Sequence, residues 1–298
     1  MTGNSFTQND LVRLKPRHDS FVGVDSDGCV FDSMEAKQKL CFHGLICEVW
    51  GLQAIEKQVR ETAEFVNLHS IHRGQNRFPS LVRVIDLLRT RPEVLASGVT
   101  LPDFTQIRTW IDSCQDLGNP ALEKRVAQTN DPELAALLRW SQAVNEAIAR
   151  QCSRFDPFPH AVDGLRKIAA HSDAICVSQT PAEALVREWT EARLLPYVSL
   201  IAGQELGAKA DHLRLAAAGK YPPDRILMIG DAPGDLKAAR TTGCLFFPIN
   251  PGHEKESWNL FGREAYDRFL NGSYAGAYET ALIATFESLL PDTPPWTK

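Results

Sequence analysis

Three features are missing from this 298-residue sequence, and each excludes a class of protein. No apolar run approaches the roughly 18 residues that cross a bilayer, so we expect no membrane partner. The first residues are polar and lack the apolar stretch of a secretory signal peptide, which predicts a cytoplasmic protein. The formal net charge of -5 leaves no basic footprint for nucleic acid, so no nucleic-acid partner is expected either.

Paired cysteine spacing is also missing. The seven cysteines are scattered along the chain and form no Cys-x-x-Cys motif. An odd, scattered set of this kind indicates neither a disulfide framework nor a zinc site. Several of them lie within apolar runs, where a thiol behaves as a small hydrophobic group. They are Cys29, Cys41, Cys47, Cys114, Cys152, Cys176 and Cys244.

The elements that are present predict an α/β protein. Short apolar, strand-like runs alternate with helical patterns at both ends of the chain, which predicts a doubly wound (Rossmann-like) parallel sheet with helices on both faces. Residues 34–155 instead carry apolar side chains at three- and four-residue spacing and contain no convincing strand. We therefore predict a discontinuous α/β core, residues 1–33 and 156–298, with a large all-helical insertion at 34–155.

The organising stretch is the first predicted strand, from Phe21, which stops at Asp25-Ser26-Asp27-Gly28. Open α/β sheets bind their ligands at the carboxyl ends of their strands. Two carboxylates held there can bind a metal ion, or one can attack a substrate while the other handles protons. An Asx-turn explains Asp-x-Asp-Gly equally well when the stretch is taken alone.

Polar residues mark three further positions of the core. Ser178 ends an apolar run, Lys209 opens a helix, and Asp231 and Asp235 follow the strand that ends at Gly230. Each has an ordinary structural explanation: Ser178 can start a turn, Lys209 can be solvated, and the aspartates can cap a helix. Thr180 is an alternative to Ser178 as the hydroxyl donor at this strand end. Together with the first strand, however, these positions converge on one edge of the sheet.

In order, spacing and placement, these four positions resemble the haloacid dehalogenase-like superfamily of phosphotransferases. The first motif of that family is Asp-x-Asp-Gly, the second a Ser or Thr after an apolar strand, the third a lysine that opens a helix, and the fourth Gly-Asp-x-x-x-Asp. The resemblance covers residues 18–33 and 156–250. An insertion between the first and second motifs is, in that family, a cap that closes over the site.

The resemblance implies roles for individual residues. Asp25 is then the nucleophile that forms an aspartyl-phosphate, and Asp27 is the general acid and base. Mg²⁺ takes oxygen ligands, here expected from Asp25, the backbone carbonyl of Asp27 and Asp231, with Asp235 either as a further ligand or as a residue that orients the ligands. Ser178 and Lys209 are the other two catalytic residues: Ser178 is expected to donate to a phosphate oxygen, and Lys209 to neutralise the transferring group and restrain Asp25. Gln179 is expected to contact the substrate together with them.

Within the insertion, the polar loop from His69 to Phe78 is the expected place of substrate recognition. Arg73 and Arg77 are the candidates there, because arginine binds phosphate or carboxylate in a bidentate manner. A solvated basic connection is at least as good an explanation, since loops are normally polar and exposed. His43 is expected to be a packed histidine.

The function that follows is a Mg²⁺-dependent phosphohydrolase acting on a small phosphorylated metabolite. In the family, dehalogenases and phosphonate-cleaving members lack an aspartate two residues after the nucleophile, so Asp27 argues against both. A phosphomutase or another phosphotransferase retains that aspartate, and a non-catalytic protein that binds phosphorylated ligands is a further alternative. The substrate and the oligomeric state do not follow from the sequence.

Overall fold

The computed structural model describes residues 6–114, 116–152 and 154–297. It contains one sheet of five strands, all parallel, in the order β3-β2-β1-β4-β5. The strands are β1 Phe21–Val24, β2 Asp173–Val177, β3 Ile201–Ala202, β4 Ile226–Gly230 and β5 Leu245–Pro248. The predicted α/β class with a parallel sheet is thus confirmed.

Sixteen α-helices lie in the described residues, joined in places by short 3₁₀ and π-helical turns. In chain order they are α1 Gln8–Arg13, α2 Met34–Lys37, α3 His43–Trp50, α4 Glu56–Leu68, α5 Arg77–Leu88, α6 Pro92–Ser97, α7 Thr105–Ser113, α8 Asn119–Thr129, α9 Pro132–Gln151, α10 Ala161–His171, α11 Ala182–Glu191, α12 Lys209–Ala217, α13 Pro233–Thr242, α14 Glu254–Leu260, α15 Tyr266–Asn271 and α16 Ala277–Ser288. Among the helices of the described residues, none has both the length and the apolarity needed to span a membrane.

The chain divides into two compact units. One, the sheet unit, comprises Met1–Ser33 and Arg154–Leu290, and the other, the helical unit, comprises Met34–Ser153 and Pro291–Lys298. The sequence analysis assigned the last eight residues to the core, whereas they group with the helical unit. The reason is local packing, because the Trp296 ring lies 5.5 Å from the Phe65 ring and 4.5 Å from the Arg91 guanidinium.

In the sheet unit, alternate residues of each strand pack on opposite faces of the sheet. Val22 and Val24 of β1 belong to one buried cluster, whereas Phe21 belongs to a second. A strand that is buried on both faces reads as a continuous apolar run, which is why these strands were visible in the sequence. The register pairs Val24 with both Cys176 and Ile229, so the three central strands end at nearly the same level.

The helical unit has its own core, formed by apolar side chains from its helices. His43 lies in this unit, fully buried, and neither of its ring nitrogens has a hydrogen-bond partner among the described residues. Burial, and then the positive charges of Arg60 and Lys39, lower the pKa of His43 to about 3. The imidazole is therefore neutral in the folded protein, as a packed histidine should be.

This histidine predicts acid sensitivity. The unfolded chain binds a proton at a pKa near 6.5, but folded His43 does not until about pH 3, so stability falls as the pH falls below about 6.5. Between pH 6.5 and pH 5 we expect His43 to account for a loss of about 2 kcal/mol in the free energy of unfolding. Urea titrations of the wild type and His43→Leu at both pH values measure it. Equal losses in the two proteins would contradict the assignment.

Candidate active site

The turn that follows β1 is held by backbone hydrogen bonds. Asp25 N donates to the Ile229 carbonyl of β4 at 2.9 Å, so Asp25 is still within the sheet although the strand ends at Val24. The chain then reverses, with Gly28 N donating to the Phe31 carbonyl at 2.9 Å. Gly28 adopts a φ of 75°, a conformation that glycine reaches without strain. The Asp-x-Asp-Gly segment is thus a rigid turn with Asp25 at the sheet edge.

Three buried carboxylates meet at this edge. Asp25, Asp231 and Asp235 each offer one oxygen, and these oxygens lie within 4.8 Å of one another. Asp25 is 5% exposed and the other two are fully buried. Asp231 directly follows β4, and Asp235 lies in the first turn of α13, where it accepts a hydrogen bond from Ala232 N at 3.0 Å. Adjacent central strands therefore bring together residues that are about 200 positions apart.

Gly230 leaves the space that this arrangement needs. A Cβ atom at position 230 would overlap the carboxylate of Asp235. Gly230 is not among the glycines with a positive φ, so its role is the absence of a side chain rather than an unusual backbone conformation. The Gly-Asp-x-x-x-Asp pattern thus has a steric basis in this protein.

Lys209, the first residue of α12, joins two of the carboxylates. Its Nζ lies 2.8 Å from Asp25 Oδ2 and 2.6 Å from Asp235 Oδ1. Burial disfavours the charged lysine, but Asp235 and Asp25 outweigh it and raise the pKa of Lys209 above its ordinary value. Burial also raises the pKa of Asp25 to about 7, against the opposing effect of Lys209. The alternative of a solvated lysine does not describe this side chain.

The donor set fits a hard divalent cation. Three carboxylates against one ammonium group leave a net charge of -2 when all are ionised. Burying uncompensated charge is costly, and the raised pKa values of Asp25 and Asp235, caused mainly by burial, show that cost. Carboxylate oxygens are the ligands that Mg²⁺ takes, so a Mg²⁺ ion suits both the charge and the chemistry of the cluster.

Asp27 lies outside this cluster and has a different environment. Its carboxylate accepts hydrogen bonds from the Ser33 hydroxyl and, at 2.7 Å, from the Thr180 hydroxyl. It is partly exposed, in contrast to Asp25. The two aspartates of the turn therefore differ in environment, since one is buried against the lysine and the other accepts hydrogen bonds from two hydroxyl groups.

The segment after β2 contributes the remaining core candidates. Ser178 is buried, and its hydroxyl accepts a hydrogen bond from Thr180 N at 3.2 Å, which is the turn interaction foreseen as an alternative role. Gln179 is exposed, and its side-chain amide donates to the Gly207 carbonyl at 2.9 Å. Thr180, the other hydroxyl considered, contacts Asp27 as described above. These contacts bring the segment to the same sheet edge as the carboxylates.

Arg73 and Arg77 are placed within the helical unit. Arg73 is 4% exposed and donates to the Leu68 carbonyl at 3.0 Å. Arg77 begins α5 and donates to Ser141 Oγ at 3.1 Å and to Asn145 Oδ1 at 2.8 Å. These guanidinium groups therefore join segments of their own unit. The alternative of a solvated, exposed connection does not hold for Arg73, because this side chain is buried.

Two tryptophans donate hydrogen bonds to the turn that follows β1, and the sequence did not predict these contacts. Trp189 Nε1 donates to the Ser26 hydroxyl at 3.0 Å, and Trp258 Nε1 donates to the Cys29 carbonyl at 2.8 Å. Both rings are fully buried. Their helices are remote in sequence from β1, so only the tertiary structure reveals the contacts.

No protein-family model matches this chain, and no curated protein does. Solved structures do match. A haloacid dehalogenase-like family hydrolase from Streptococcus pneumoniae is 16% identical, with a TM-score of 0.41, covering 82% of this chain and 91% of that one. A predicted phosphoglycolate phosphatase from Haemophilus somnus is 17% identical, with a TM-score of 0.46, covering 77% and 84%. A defluorinating L-2-haloacid dehalogenase is 16% identical, with a TM-score of 0.33, covering 78% and 83%.

The first description names the superfamily that the four sequence motifs resemble, and the other two name a phosphatase and a dehalogenase. At identities below 25%, no activity is carried from one chain to another. All three TM-scores are below 0.5, so the α/β fold of this chain is established by its own five-stranded parallel sheet.

Proposed function

We propose that this protein is a Mg²⁺-dependent phosphohydrolase of the haloacid dehalogenase-like type that acts on a small phosphorylated metabolite. The observation that carries the proposal is the cluster of Asp25, Asp231 and Asp235, in which Lys209 contacts both Asp25 and Asp235. Asp27 lies two positions after Asp25 in the same turn. Phosphoryl transfer depends mainly on positioning and on neutralising the phosphate oxygens, and this edge of the sheet supplies groups for both.

In the proposed reaction, a carboxylate oxygen of Asp25 attacks phosphorus and the bond to the substrate alcohol breaks. Asp27, entering as the neutral acid, gives its proton to the departing alcohol oxygen. Water then attacks the aspartyl-phosphate while Asp27 takes a proton from it, which restores both side chains. The hydrogen bonds from Thr180 and Ser33 orient the Asp27 carboxyl group for both proton transfers.

Lys209 and a bound Mg²⁺ ion would both neutralise negative charge on the transferring phosphoryl group. Lys209 holds Asp25 in place through a 2.8 Å contact and presents a positive charge beside the oxygen that reacts. A Mg²⁺ ion held by Asp25, Asp231, Asp235 and the Asp27 carbonyl would supply further positive charge to the transferring phosphoryl group. Ser178 and Gln179 lie on the segment that we assign to phosphate binding.

The presence of Asp27 favours a phosphatase over a dehalogenase. A haloacid has no alcohol leaving group that needs a proton, whereas a phosphate monoester does. In this protein the second aspartate is present, partly exposed and oriented by two hydroxyl groups. Its placement therefore supports phosphoester chemistry.

The test is phosphate release from a panel of phosphorylated metabolites and one generic aryl phosphate, in Mg²⁺ and in chelator. We expect release in Mg²⁺ from at least one member and none in chelator. Because aryl phosphates have good leaving groups, the aryl ester is the most permissive member. Absence of release from the whole panel, with Mg²⁺ bound, would contradict a hydrolase, and transfer of the phosphoryl group within one substrate would instead indicate a phosphomutase.

Metal binding can be tested without activity. Mg²⁺ that binds only the folded state at 100 times its dissociation constant adds about 2.7 kcal/mol to the free energy of unfolding. We expect Mg²⁺ to raise the unfolding temperature of the wild type and to leave that of Asp231→Asn nearly unchanged. In chelator, Asp231→Asn should be at least as stable as the wild type, because one of three crowded buried carboxylates is removed.

Asp163→Asn is the matched control, since Asp163 is an exposed aspartate of α10 that pairs with Arg166 at 2.7 Å. It should respond to Mg²⁺ as the wild type does. An equal Mg²⁺ response in Asp231→Asn and Asp163→Asn would exclude the cluster as the metal site.

A further inference from the structure

Two cysteines of the helical unit lie in contact although 111 positions separate them. Cys41 Sγ and Cys152 Sγ are 3.5 Å apart, and the residues are 0% and 2% exposed. Cys41 belongs to a π-helical turn, Gln38–Phe42, which follows α2, and Cys152 directly follows α9. The pair therefore joins the first and last parts of the helical insertion, a proximity that the scattered spacing in the sequence did not indicate.

The distance is short enough for a covalent bond after a small movement. A disulfide has a sulfur–sulfur length of about 2.05 Å, so the two atoms need to approach by about 1.5 Å. Cys41 lies within the π-helical turn and Cys152 caps α9, and these two elements pack against each other. The thiols are therefore held together by the fold rather than meeting by chance in a flexible segment.

We propose that Cys41 and Cys152 are a dithiol site that a low-molecular-weight disulfide converts reversibly into an intrachain disulfide. The thiolate of Cys152 attacks one sulfur of the oxidant and releases one thiolate, leaving a mixed disulfide. The thiolate of Cys41 then attacks the Cys152 sulfur and releases the second thiolate. The two protons lost by the cysteines appear on the two released thiols, so the protein is oxidised and the small disulfide is reduced.

The positions of the two cysteines in their helices indicate that Cys152 reacts with the small disulfide first. Cys152 closes the last turn of α9, where its backbone N donates to the Ile148 carbonyl at 2.9 Å, and helix ends open locally at low cost. Cys41 lies inside a continuous helical segment. Burial, together with the neighbouring Cys152, raises the pKa of Cys41 to about 12, so the thiolate fraction of Cys41 is small and Cys41 is the poorer first nucleophile. The exchange is therefore slow, and equilibrium is the informative measurement.

The consequence concerns the insertion as a whole. A bond between Cys41 and Cys152 closes nearly the entire inserted chain into one loop, and cross-links that close long loops restrict the unfolded chain most. The oxidised helical unit should thus resist unfolding more than the reduced one. This inference is independent of the proposed phosphohydrolase activity, because the cysteines take no part in that chemistry.

The experiment equilibrates the full-length protein in buffers of reduced glutathione and glutathione disulfide, followed by acid quenching, alkylation and peptide mapping. Two groups on a flexible chain have an effective concentration in the millimolar range. For thiols held in contact we expect half-oxidation at a [GSH]²/[GSSG] value of about 1 M or more, at least a hundredfold above that of the same protein in urea. Equal values in buffer and in urea would overturn the proposal, as would a disulfide mapped to other cysteines.

Two variants complete the test. Cys152→Ser should form no intrachain disulfide, whereas Cys47→Ser, which alters another buried cysteine of the same unit, should form it as the wild type does. The oxidised wild type should unfold at a higher temperature than the reduced form, and Cys152→Ser should show no such shift. Since the glutathione titration uses the unaltered protein, it decides the question even where a variant fails to fold.

Discussion

The Asp25→Asn variant is expected to release phosphate at least about 10⁴-fold more slowly than the wild type, because it lacks the attacking oxygen. Asparagine preserves the shape of the side chain and removes one of three buried carboxylates that repel one another. The variant should therefore fold, and it should lose activity without losing stability. Steady-state release in saturating Mg²⁺ measures the first effect, and urea titration the second.

A second readout identifies the nucleophile directly. Acid quenching of the wild type during turnover should leave one phosphoryl group on the peptide that contains Asp25, and Asp25→Asn should show none. Asp163→Asn again provides the surface control and should be labelled as the wild type is. Phosphate release by Asp25→Asn at a rate near that of the wild type would mean that another group attacks.

Lys209→Met is expected to lower the free energy of unfolding in chelator by about 3 to 5 kcal/mol, because it leaves buried carboxylates without their counter-charge. The loss should be larger at pH 8 than at pH 5. Without the lysine, the pKa values of Asp25 and Asp235 rise further above their unfolded values, so both groups are protonated and neutral at low pH and penalise the fold only as the pH rises. Urea titrations at the two pH values measure the difference.

Lys220→Met is the matched control. Lys220 is half-buried and donates to backbone carbonyls, among them Leu11 O at 3.0 Å, and it forms no ion pair with a carboxylate of the described residues. Its replacement should cost about 1 kcal/mol, with no dependence on pH in this range. Mg²⁺ should reduce the difference in the free energy of unfolding between Lys209→Met and the wild type. It should leave the difference between Lys220→Met and the wild type unchanged. Equal, pH-independent losses in both variants would mean that Lys209 is not the counter-charge of the cluster.

The core of the site was predictable because it follows from local pattern. A buried parallel strand is a short apolar run, and the first polar residue after it lies at the ligand-binding edge of the sheet. Asp25 and Asp231 satisfy that rule on adjacent strands, while Lys209 is the first residue of α12 and Asp235 lies in the first turn of α13. Four positions could therefore be related to one another before any distance was known.

The helical unit was less predictable because its polar side chains are engaged by residues that are remote in sequence. Arg77 contacts Ser141 and Asn145, 64 and 68 positions away, and these contacts use hydrogen-bonding capacity that the sequence left open for a ligand. A basic, polar segment looks the same in sequence whether its arginines face solvent or a neighbouring helix. Only the packing of α5 against its neighbours distinguishes the two.

The environment of Asp27 was unpredictable for a related reason. Its partner Thr180 is 153 positions away, and a hydrogen bond depends on ångström-scale placement of two side chains. The sequence analysis considered Thr180 only as an alternative phosphate donor to Ser178. The contact with Asp27 gives that threonine a further part in the site, which spacing along the chain does not encode.

The steric relation between Gly230 and Asp235 limits which substitutions can be combined when the site is redesigned. Any side chain at position 230 would occupy the volume of the Asp235 carboxylate. In a combinatorial library, a substitution at position 230 therefore requires a compensating substitution at position 235. If the proposed function holds, a library that randomises position 230 alone should lose activity with every residue except glycine, because the added side chain displaces the Asp235 carboxylate. A library that varies residues 230 and 235 jointly, in contrast, can sample new ligand geometries at this edge of the sheet while the central strands stay unchanged.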